Sequence, residues 1–589
     1  MKDQNKFIDT KGSDCIILGR TNLSIQCAKI LLDYGINIKA FITQDINVQK
    51  WANSKNIIVY NTLQEYHQLL NNKVDYVFSI IYGAILRTKD IALAKKEAIN
   101  YHDSLLPKYA GVHATNWAII NGEKEHGVTW HRIDSGIDTG DIIEQRKVLI
   151  DSTETSFSLN LKCSEASLEA FTLIVKQIEL KRQFKYQKQD IEKRTYVGRY
   201  KRPENHSYLS WNMQAENMGR YTRGLDFGPT EPNILGVPKW NLDKNTLVTG
   251  KFSILETRSE ENPGTILKVS NAPLTINIAT ATNDVMLTKI TLLDGQEIPK
   301  EIKSFLKVGH KIEALNINKL KTLKLEESSL VYKNEQFFEK YIRQFERTNL
   351  PIKSINSELF LTKYPEDKVF KQAMNLLDLT FEELIFGLKL LYLSRINGHD
   401  IVNVVVYVPK HDNEQCYLEN RLPFVYKFNK SKTIGDHLRA IASQYSKLLK
   451  KGCYAKDIFV RYPKLEGKDV FVNQAIGFKN DKGIQGAKNS VLLVIDNENQ
   501  SYEWQFNSED FLNQEVRMNQ NWFNVFCANS LNNLDDYALK IDYITKEERQ
   551  SVLTLGKGKV IDYEKKESII NIFSSQVENT PDQIALVFE

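Results

Sequence analysis

Along the first 140 residues, short apolar runs alternate with stretches of helical spacing. Cys15-Ile16-Ile17-Leu18 is a continuous apolar run closed by Gly19, and Leu23 to Tyr34 follows with apolar positions three and four apart. This pattern predicts a buried strand, a tight glycine turn and a helix packed back on the strand. Ile36 to Ile42, Ile57 to Tyr60 and Val74 to Ile81 read as three further strands, with helices over Leu63 to Leu70 and Thr88 to Glu97. Such alternation predicts an α/β fold with a doubly wound, mostly parallel sheet, whose ligand crevice lies outside the carboxyl ends of the strands.

The stretch Ala98 to Gly111 falls where that rule places chemistry. Asn100 and His102 are two residues apart, so in an extended backbone both side chains leave one face, about 6–7 Å apart along the strand. Leu105-Leu106-Pro107 stops the strand, because proline lacks a donor and restricts the residue before it. Further on, His113 to Ile120 is predicted as a helix, Asn121-Gly122 as a turn, and Gly127 to Ile133 as a strand. His126 reads as a turn residue, and His131 as a core or crevice histidine. In Asp134 to Ile143, Gly136 and Gly140 flank Asp138, so the loop can bend a carboxylate back toward the crevice. Asp134 and Asp141 compete with Asp138 for that role on spacing alone. The Gly19-Arg20-Thr21-Asn22 turn matches neither G-x-G-x-x-G nor G-x-x-x-x-G-K-[ST], so dinucleotide binding is not expected.

After residue 205 the pattern changes. Leu247 to Glu256, Gly264 to Ser270, Leu274 to Ala279 and Val285 to Leu293 are short strands between Gly, Asn and Asp turns, which predicts a small antiparallel barrel. From about 325 a second α/β pattern begins, with helices over Glu335 to Arg347, Phe381 to Leu393, Ile434 to Leu449 and Asn513 to Phe526. Its strands are predicted at Ile401 to Val408, around Leu422-Pro423-Phe424, at Ser490 to Ile495 and at Trp504 to Asn507. Four units are expected, over residues 1–200, 205–315, 330–545 and 546–589.

Composition narrows the class without naming it. Hydrophobic residues make up 42% of the 589 and charged residues 26%, as in ordinary globular chains. A net charge of +5 is weak for this length, and the basic run Lys176 to Lys201 is interrupted by Glu179, Asp190 and Glu192, so it reads as the solvated face of a helix and its linker rather than a nucleic-acid surface. Cys15, Cys27, Cys163, Cys416, Cys453 and Cys527 include no C-x-x-C pair, which suits a reducing cytoplasm better than zinc or disulfides. Neither a signal-like leader nor a membrane span is expected.

Asn100-x-His102 with Ser104-Leu105-Leu106-Pro107, the Gly127-Val128-Thr129 strand, and Gly136-Ile137-Asp138-Thr139-Gly140-Asp141 occur in an order and spacing that resemble the folate-dependent formyltransferases, over about residues 13 to 200. Tyr101-His102-Asp103, Tyr109-Ala110-Gly111, His113 to Ala118 and Gly127 to His131 look most like the formylation domains that begin certain nonribosomal peptide synthetases. The resemblance implies formyl transfer from N10-formyltetrahydrofolate to a primary amine, with Asn100, His102 and Asp138 catalytic and no metal. Asn100 and His102 would donate hydrogen bonds to the tetrahedral oxyanion, each worth about 2.7–4 kcal/mol. Asp138 would support His102 and help move the amine proton. The family's folate site implies Tyr82, Gly83, Ile85 and Leu86 on one loop, and Asp134, Gly136 and Ile137 on the other, around the pteridine.

Asn262 to Leu267 resembles the OB-like carboxyl-terminal domain of formyltransferases, with a packing or positioning role expected. Residues 330 to 545, including Tyr392 to Gly398, resemble the carboxyl-terminal half of a condensation domain without its His-His-x-x-x-Asp-Gly signature. Asp542 to Arg549 and Ile572 to Glu589 resemble the linker, first helix and first strand of an adenylation domain. The implied partners are a peptidyl carrier domain bearing an aminoacyl phosphopantetheine and an adenylation domain, with neither nucleic acid nor membrane. Two alternatives stand beside this: the same chemistry on an amino sugar nucleotide, a hydroxylated diamine or tRNA, and a non-catalytic scaffold.

Overall fold

The apolar run Cys15–Leu18 is fully buried on an interior strand of a seven-stranded sheet in the computed structural model. The structure describes residues 12–313 except 71 and 204, and then 330–346, 368–408, 417–468, 474–479, 490–507, 513–537, 540–558 and 568–584. Cys416 and Ala585 to Glu589, on which sequence expectations were placed, lie outside the described residues.

The first unit runs β1 (Asp14–Gly19), α1 (Thr21–Asp33), β2 (Asn37–Ile42), α2 (Ile46–Ser54), β3 (Val59–Tyr60), α3 (Leu63–Leu69), β4 (Val74–Ile80), α4 (Thr88–Ile91), β5 (Ala94–His102), β6 (Ala110–Gly111), α5 (Ala114–Asn121), β7 (Glu125–Arg132), β8 (Ile142–Leu149), α6 (Ser156–Glu179) and β9 (Tyr196–Val197). The sheet order is β3-β2-β1-β4-β5-β7-β8. β1 to β5 are parallel, while β7 and β8 are antiparallel to their neighbours. The period-two alternation of β1 feeds two cores: Cys15 and Ile17 join Cys27 of α1 and Phe171 of α6, and Ile16 and Leu18 join Tyr60 and Tyr66 on the other face.

Three expectations are corrected. The helix expected over Thr88 to Glu97 ends at Ile91, and Ala94 is already paired with Val74 in the sheet; the helix-forming Ala-Lys-Lys-Glu run yields to the ladder, as weak propensity does to tertiary pairing. His126 is a buried residue of β7 whose Nε2 lies 2.7 Å from the Asp103 carbonyl. The strand β8 was not anticipated, because its polar run Glu144-Gln145-Arg146-Lys147 belongs to a sheet edge.

The second unit contains α7 (Ala215–Gly224), β10 (Lys239–Leu242), β11 (Asn245–Ile254), β12 (Ile266–Asn271), β13 (Leu274–Ile278) and β14 (Val285–Leu292). Its strands form an antiparallel sheet in the order β10-β11-β14-β13-β12 around Trp211, Trp240, Ile276 and Leu287. In the third unit, strands 401–407, 421–427, 474–478, 490–496 and 501–507 build a mixed sheet against helices 381–397 and 434–451; the strand 474–478 was not anticipated.

A buried ionic cluster joins the second and third units. The Lys239 ammonium lies 3.4 Å from the Asp457 carboxylate and 4.0 Å from the centre of the Tyr417 ring. Asp457 also accepts from the Tyr417 hydroxyl and the Arg461 guanidinium, and Arg461 reaches Glu335 and the Asn233 carbonyl. Among the described residues no helix is long and apolar enough to cross a membrane.

Candidate active site

β5 carries Asn100 and His102 on one face and turns Tyr101 inward, where its ring lies 5.4 Å from Trp130. The antiparallel register sets Asn100 opposite His131 and His102 opposite Thr129. Each pair therefore shares a face. His131 Nδ1 lies 2.8 Å from the Arg132 carbonyl; a carbonyl only accepts, so Nδ1 carries the proton. Nε2 lies 3.1 Å from the Asn100 amide nitrogen on one side and 3.5 Å from the Asp138 carboxylate on the other.

The segment after β5 folds back over its own strand end. Thr129 Oγ1 donates to the Ser104 carbonyl and accepts from the Leu106 N–H, and Gln145 Nε2 donates to the Leu106 carbonyl. Tyr109, at φ 56°, directs its carbonyl to His102 Nε2 at 2.9 Å. His102 Nε2 must be the donor there, so Nδ1 is left for proton exchange, and it faces Asp138 Oδ2 at 3.6 Å.

Asp138 sits at φ 54° on the glycine-flanked loop. The loop closes because Gly140 has no side chain: the Arg132 carbonyl lies 1.9 Å from where a Cβ would stand. Gln189 Nε2 donates to the Asp138 and Gly140 carbonyls, Arg194 donates to the Ile137 carbonyl, and the Asp134 carboxylate accepts from Gly136 N–H and Thr139 Oγ1. The Asp138 carboxylate accepts from the Gly111 N–H at 2.8 Å and lies 3.5 Å from His131 Nε2. Burial raises its carboxyl pKa, but His102, His131 and the Gly111 N–H outweigh burial and hold it at about 2. Asp138 is therefore an ionised, largely buried carboxylate between two imidazoles. Asp134 is committed to closing the loop.

The structure thus brings Asn100, His102 and Asp138 together and adds His131 to them. Gly83, Ile85, Gly136 and Ile137 are exposed on the two loops, whereas Tyr82 and Leu86 pack against the core formed by Leu18 and Tyr60. His113 opens α5 at φ 59°; burial, followed by the charges of Arg202 and Arg199, holds its pKa down at about 4 against the opposing pull of Asp103. The Tyr109 carbonyl, Gly111 N–H, Gln189 and Arg194 were missed from sequence, since backbone groups and residues some 50 positions away leave no local signal. Among the described residues no group of three or more His, Cys, Asp or Glu could hold a metal ion.

Residues 44–175 match the family model described as formyl transferase. The methionyl-tRNA formyltransferase of Clostridium tetani is 30% identical over 242 residues, covering 41% of this chain and 72% of that protein. That of Desulforamulus reducens is 27% identical over 312 residues, covering 50% and 93%. Among solved structures, WlaRD, a sugar 3N-formyltransferase crystallised with dTDP and 5-N-formyl-THF, is similar over 47% of this chain and 97% of its own, with a TM-score of 0.37 and 21% identity. By its extended similarity to the clostridial enzyme, the chain belongs to the formyl transferase family and is a formyltransferase.

Proposed function

We propose that the chain moves a formyl group from N10-formyltetrahydrofolate to the primary amine of an aminoacyl group held on a peptidyl carrier domain, initiating nonribosomal peptide synthesis. The convergence of Asn100, His102 and Asp138 carries the proposed chemistry. The amine nitrogen bonds to the formyl carbon, the bond from that carbon to N10 breaks, and the amine proton passes to N10. Asn100, hydrogen-bonded to His131, donates from its amide to the oxyanion. His102 Nδ1 takes up the amine proton, its charged ring stabilised by the ionised Asp138 beside it, and returns the proton to N10. The exposed Gly83, Ile85, Gly136 and Ile137 would border the pteridine, mainly through backbone, with Tyr82, Leu86 and Asp134 supporting the two loops from behind.

The carrier-bound acceptor rests on the resemblance of residues 101 to 131 to formylation domains, of residues 330 to 545 to a half condensation domain, and of the residues after 546 to the start of an adenylation domain. The second unit, in this proposal, is the OB-like domain that positions the acceptor. A tRNA acceptor is the second reading, favoured by the relatives' names. The test offers the purified chain N10-formyltetrahydrofolate with an aminoacyl-carrier protein, an amino sugar nucleotide and aminoacyl-tRNA, read by intact mass. Formylation of the carrier-bound amine supports the proposal, and formylation of sugar or tRNA alone refutes its acceptor. Asn100→Ala and His102→Ala are each expected to lower turnover about 10²- to 10³-fold with folding retained. Near-normal turnover in either would remove the site.

A further inference from the structure

The Gly19-Arg20 turn, which matches no phosphate loop, has a use in the folded chain. Gly19 of β1 pairs with Ile80 of β4, and Ser79 of β4 pairs with Asn100 of β5. Arg20 and Ile81 therefore leave neighbouring strands side by side, at the same sheet edge as Asn100. Arg20 Nε donates to the Ile81 carbonyl at 3.0 Å, and its guanidinium lies 3.3 Å from where a Gly83 Cβ would stand. Ile81 and Gly83 both have left-handed backbones, at φ 53° and 80°, a conformation that costs an isoleucine free energy. The segment leaving β4 is thus bent at its start and held there by Arg20.

Its far end is held by Asp90 of α4. This carboxylate is buried, accepts from the Arg87 N–H at 2.9 Å and from Arg87 Nε at 3.2 Å, and turns its other oxygen to His67 Nε2 at 2.8 Å. Burial raises its pKa, but the Arg87 N–H, His67 and the Arg87 guanidinium outweigh burial and hold it below the usual carboxylate value. An ionised carboxylate only accepts, so His67 Nε2 carries the proton of that bond. An acid three residues past a helix N-cap ordinarily closes a local cap. Asp90 does more, since its histidine comes from the last turn of α3, 23 residues away. Tyr82 and Leu86 pack beneath the segment, against the core of Tyr60, Leu63 and Tyr66. Between the two anchors Gly83, Ala84 and Ile85 are exposed, and no backbone N–H or carbonyl of these three hydrogen-bonds to another described residue.

We propose that Arg20 and Asp90 are positioning residues for the formyl donor, holding the segment from Ile81 to Arg87 by its two ends so that the free backbone groups of Gly83 to Ile85 face the pteridine. This rests on the formyl-transfer reading, which borders the pteridine with this segment, and it assigns the residues that set the segment's shape. A ligand bound through backbone gains affinity when the segment already has its bound shape, because little ordering remains to be done on binding. Loss of either anchor therefore falls on donor affinity, and not on the acceptor or on the proton steps at His102.

The test compares the full chain with Arg20→Met and Asp90→Ala variants in calorimetric titrations with N10-formyltetrahydrofolate and in steady-state formyl transfer, with thermal unfolding of each protein. Arg20 is exposed and methionine keeps much of its stem, so this variant is expected to fold even if Asp90→Ala does not. Each variant is expected to raise the donor Kd and KM about tenfold, the worth of one charge-assisted hydrogen bond. The acceptor KM and the kcat at saturating donor should stay within about twofold of the parent. Asp90→Asn, which keeps an acceptor for the Arg87 N–H, should recover part of the loss. A lowered Tm with the donor Kd unchanged makes the anchors purely structural and overturns the proposal. A raised acceptor KM with the donor Kd unchanged also overturns it, because the segment would then face the acceptor. A parent that binds no folate overturns the formyl-transfer reading and the anchors with it. A parent that binds and transfers, beside variants that do so equally well, overturns the anchors alone.

Discussion

Asp138→Asn removes one charge and leaves the shape almost unchanged. The carboxylate lies 3.6 Å from His102 Nδ1 and 3.5 Å from His131 Nε2, and accepts from the Gly111 N–H at 2.8 Å. A carboxyl held at about 2 instead of 3.8 favours its ionised form by about 2.4 kcal/mol. The amide oxygen of asparagine still accepts from Gly111, so the loss falls on the imidazoles. If the proton leaving the amine passes through His102 beside Asp138, the imidazoles' share of that energy supports the charged imidazole in the transition state, and kcat/KM falls about 10- to 100-fold. The folded pKa lies below the unfolded value, so this stabilisation is present above about pH 4 and is lost as pH falls toward 2. Asp138 therefore stays ionised throughout pH 5 to 9, and the cost of the substitution should be constant over that range wherever both enzymes are saturated. The assay is formyl transfer under steady-state conditions from pH 5 to 9, with thermal unfolding of both proteins at pH 7. A variant within threefold of the parent, with the parent's fold, would refute the coupling between Asp138 and proton transfer.

Two further substitutions test the third unit. Asp457→Ala strips the buried Arg461 and Lys239 of their shared carboxylate; leaving buried charge uncompensated costs about 3–5 kcal/mol, so a fall of several degrees in Tm is expected, and a shift under 1 °C would count against the cluster. In the parent, burial raises the Asp457 pKa but Arg461 and Lys239 hold it at about 2, so its stabilisation is present above about pH 4 and disappears toward pH 2. Lys389→Met should raise stability, by about 1–4 kcal/mol on the precedent of buried ions replaced by apolar side chains. Its ammonium is fully buried 3.8 Å from the centre of the Trp504 ring, with no hydrogen-bond partner among the described residues. Burial drives its pKa far below 10.5, so the unfolded chain binds the extra proton and the parent's stability rises with pH toward that value. Urea titrations at pH 7 and 9.5 check both points; a destabilised variant, or a gap that widens at the higher pH, would overturn this account.

Period and punctuation in the sequence determined most of the first sheet. Near-continuous apolar runs such as Cys15 to Leu18 and Val74 to Ile81 bury both faces, as in a parallel, helix-covered sheet. Period two put Asn100 and His102 on one face, and the Leu-Leu-Pro break ended the strand beneath a crevice. Gly136 and Gly140 marked a loop able to carry Asp138 inward, although spacing alone did not choose among Asp134, Asp138 and Asp141. That choice was made in three dimensions, where Asp134 closes the loop and Asp138 meets His102. Only the antiparallel register of β5 and β7 decided that His131 stands opposite Asn100 and hydrogen-bonds to its amide. Only the β6–β9 pair brought the end of a basic run, some 90 residues along, to the edge of the site. Local patterns report which face of a strand or helix is buried, because burial depends on side-chain period. Register, loop closure across distant segments and shared ion clusters depend on which elements meet, and that is decided by packing of the whole chain.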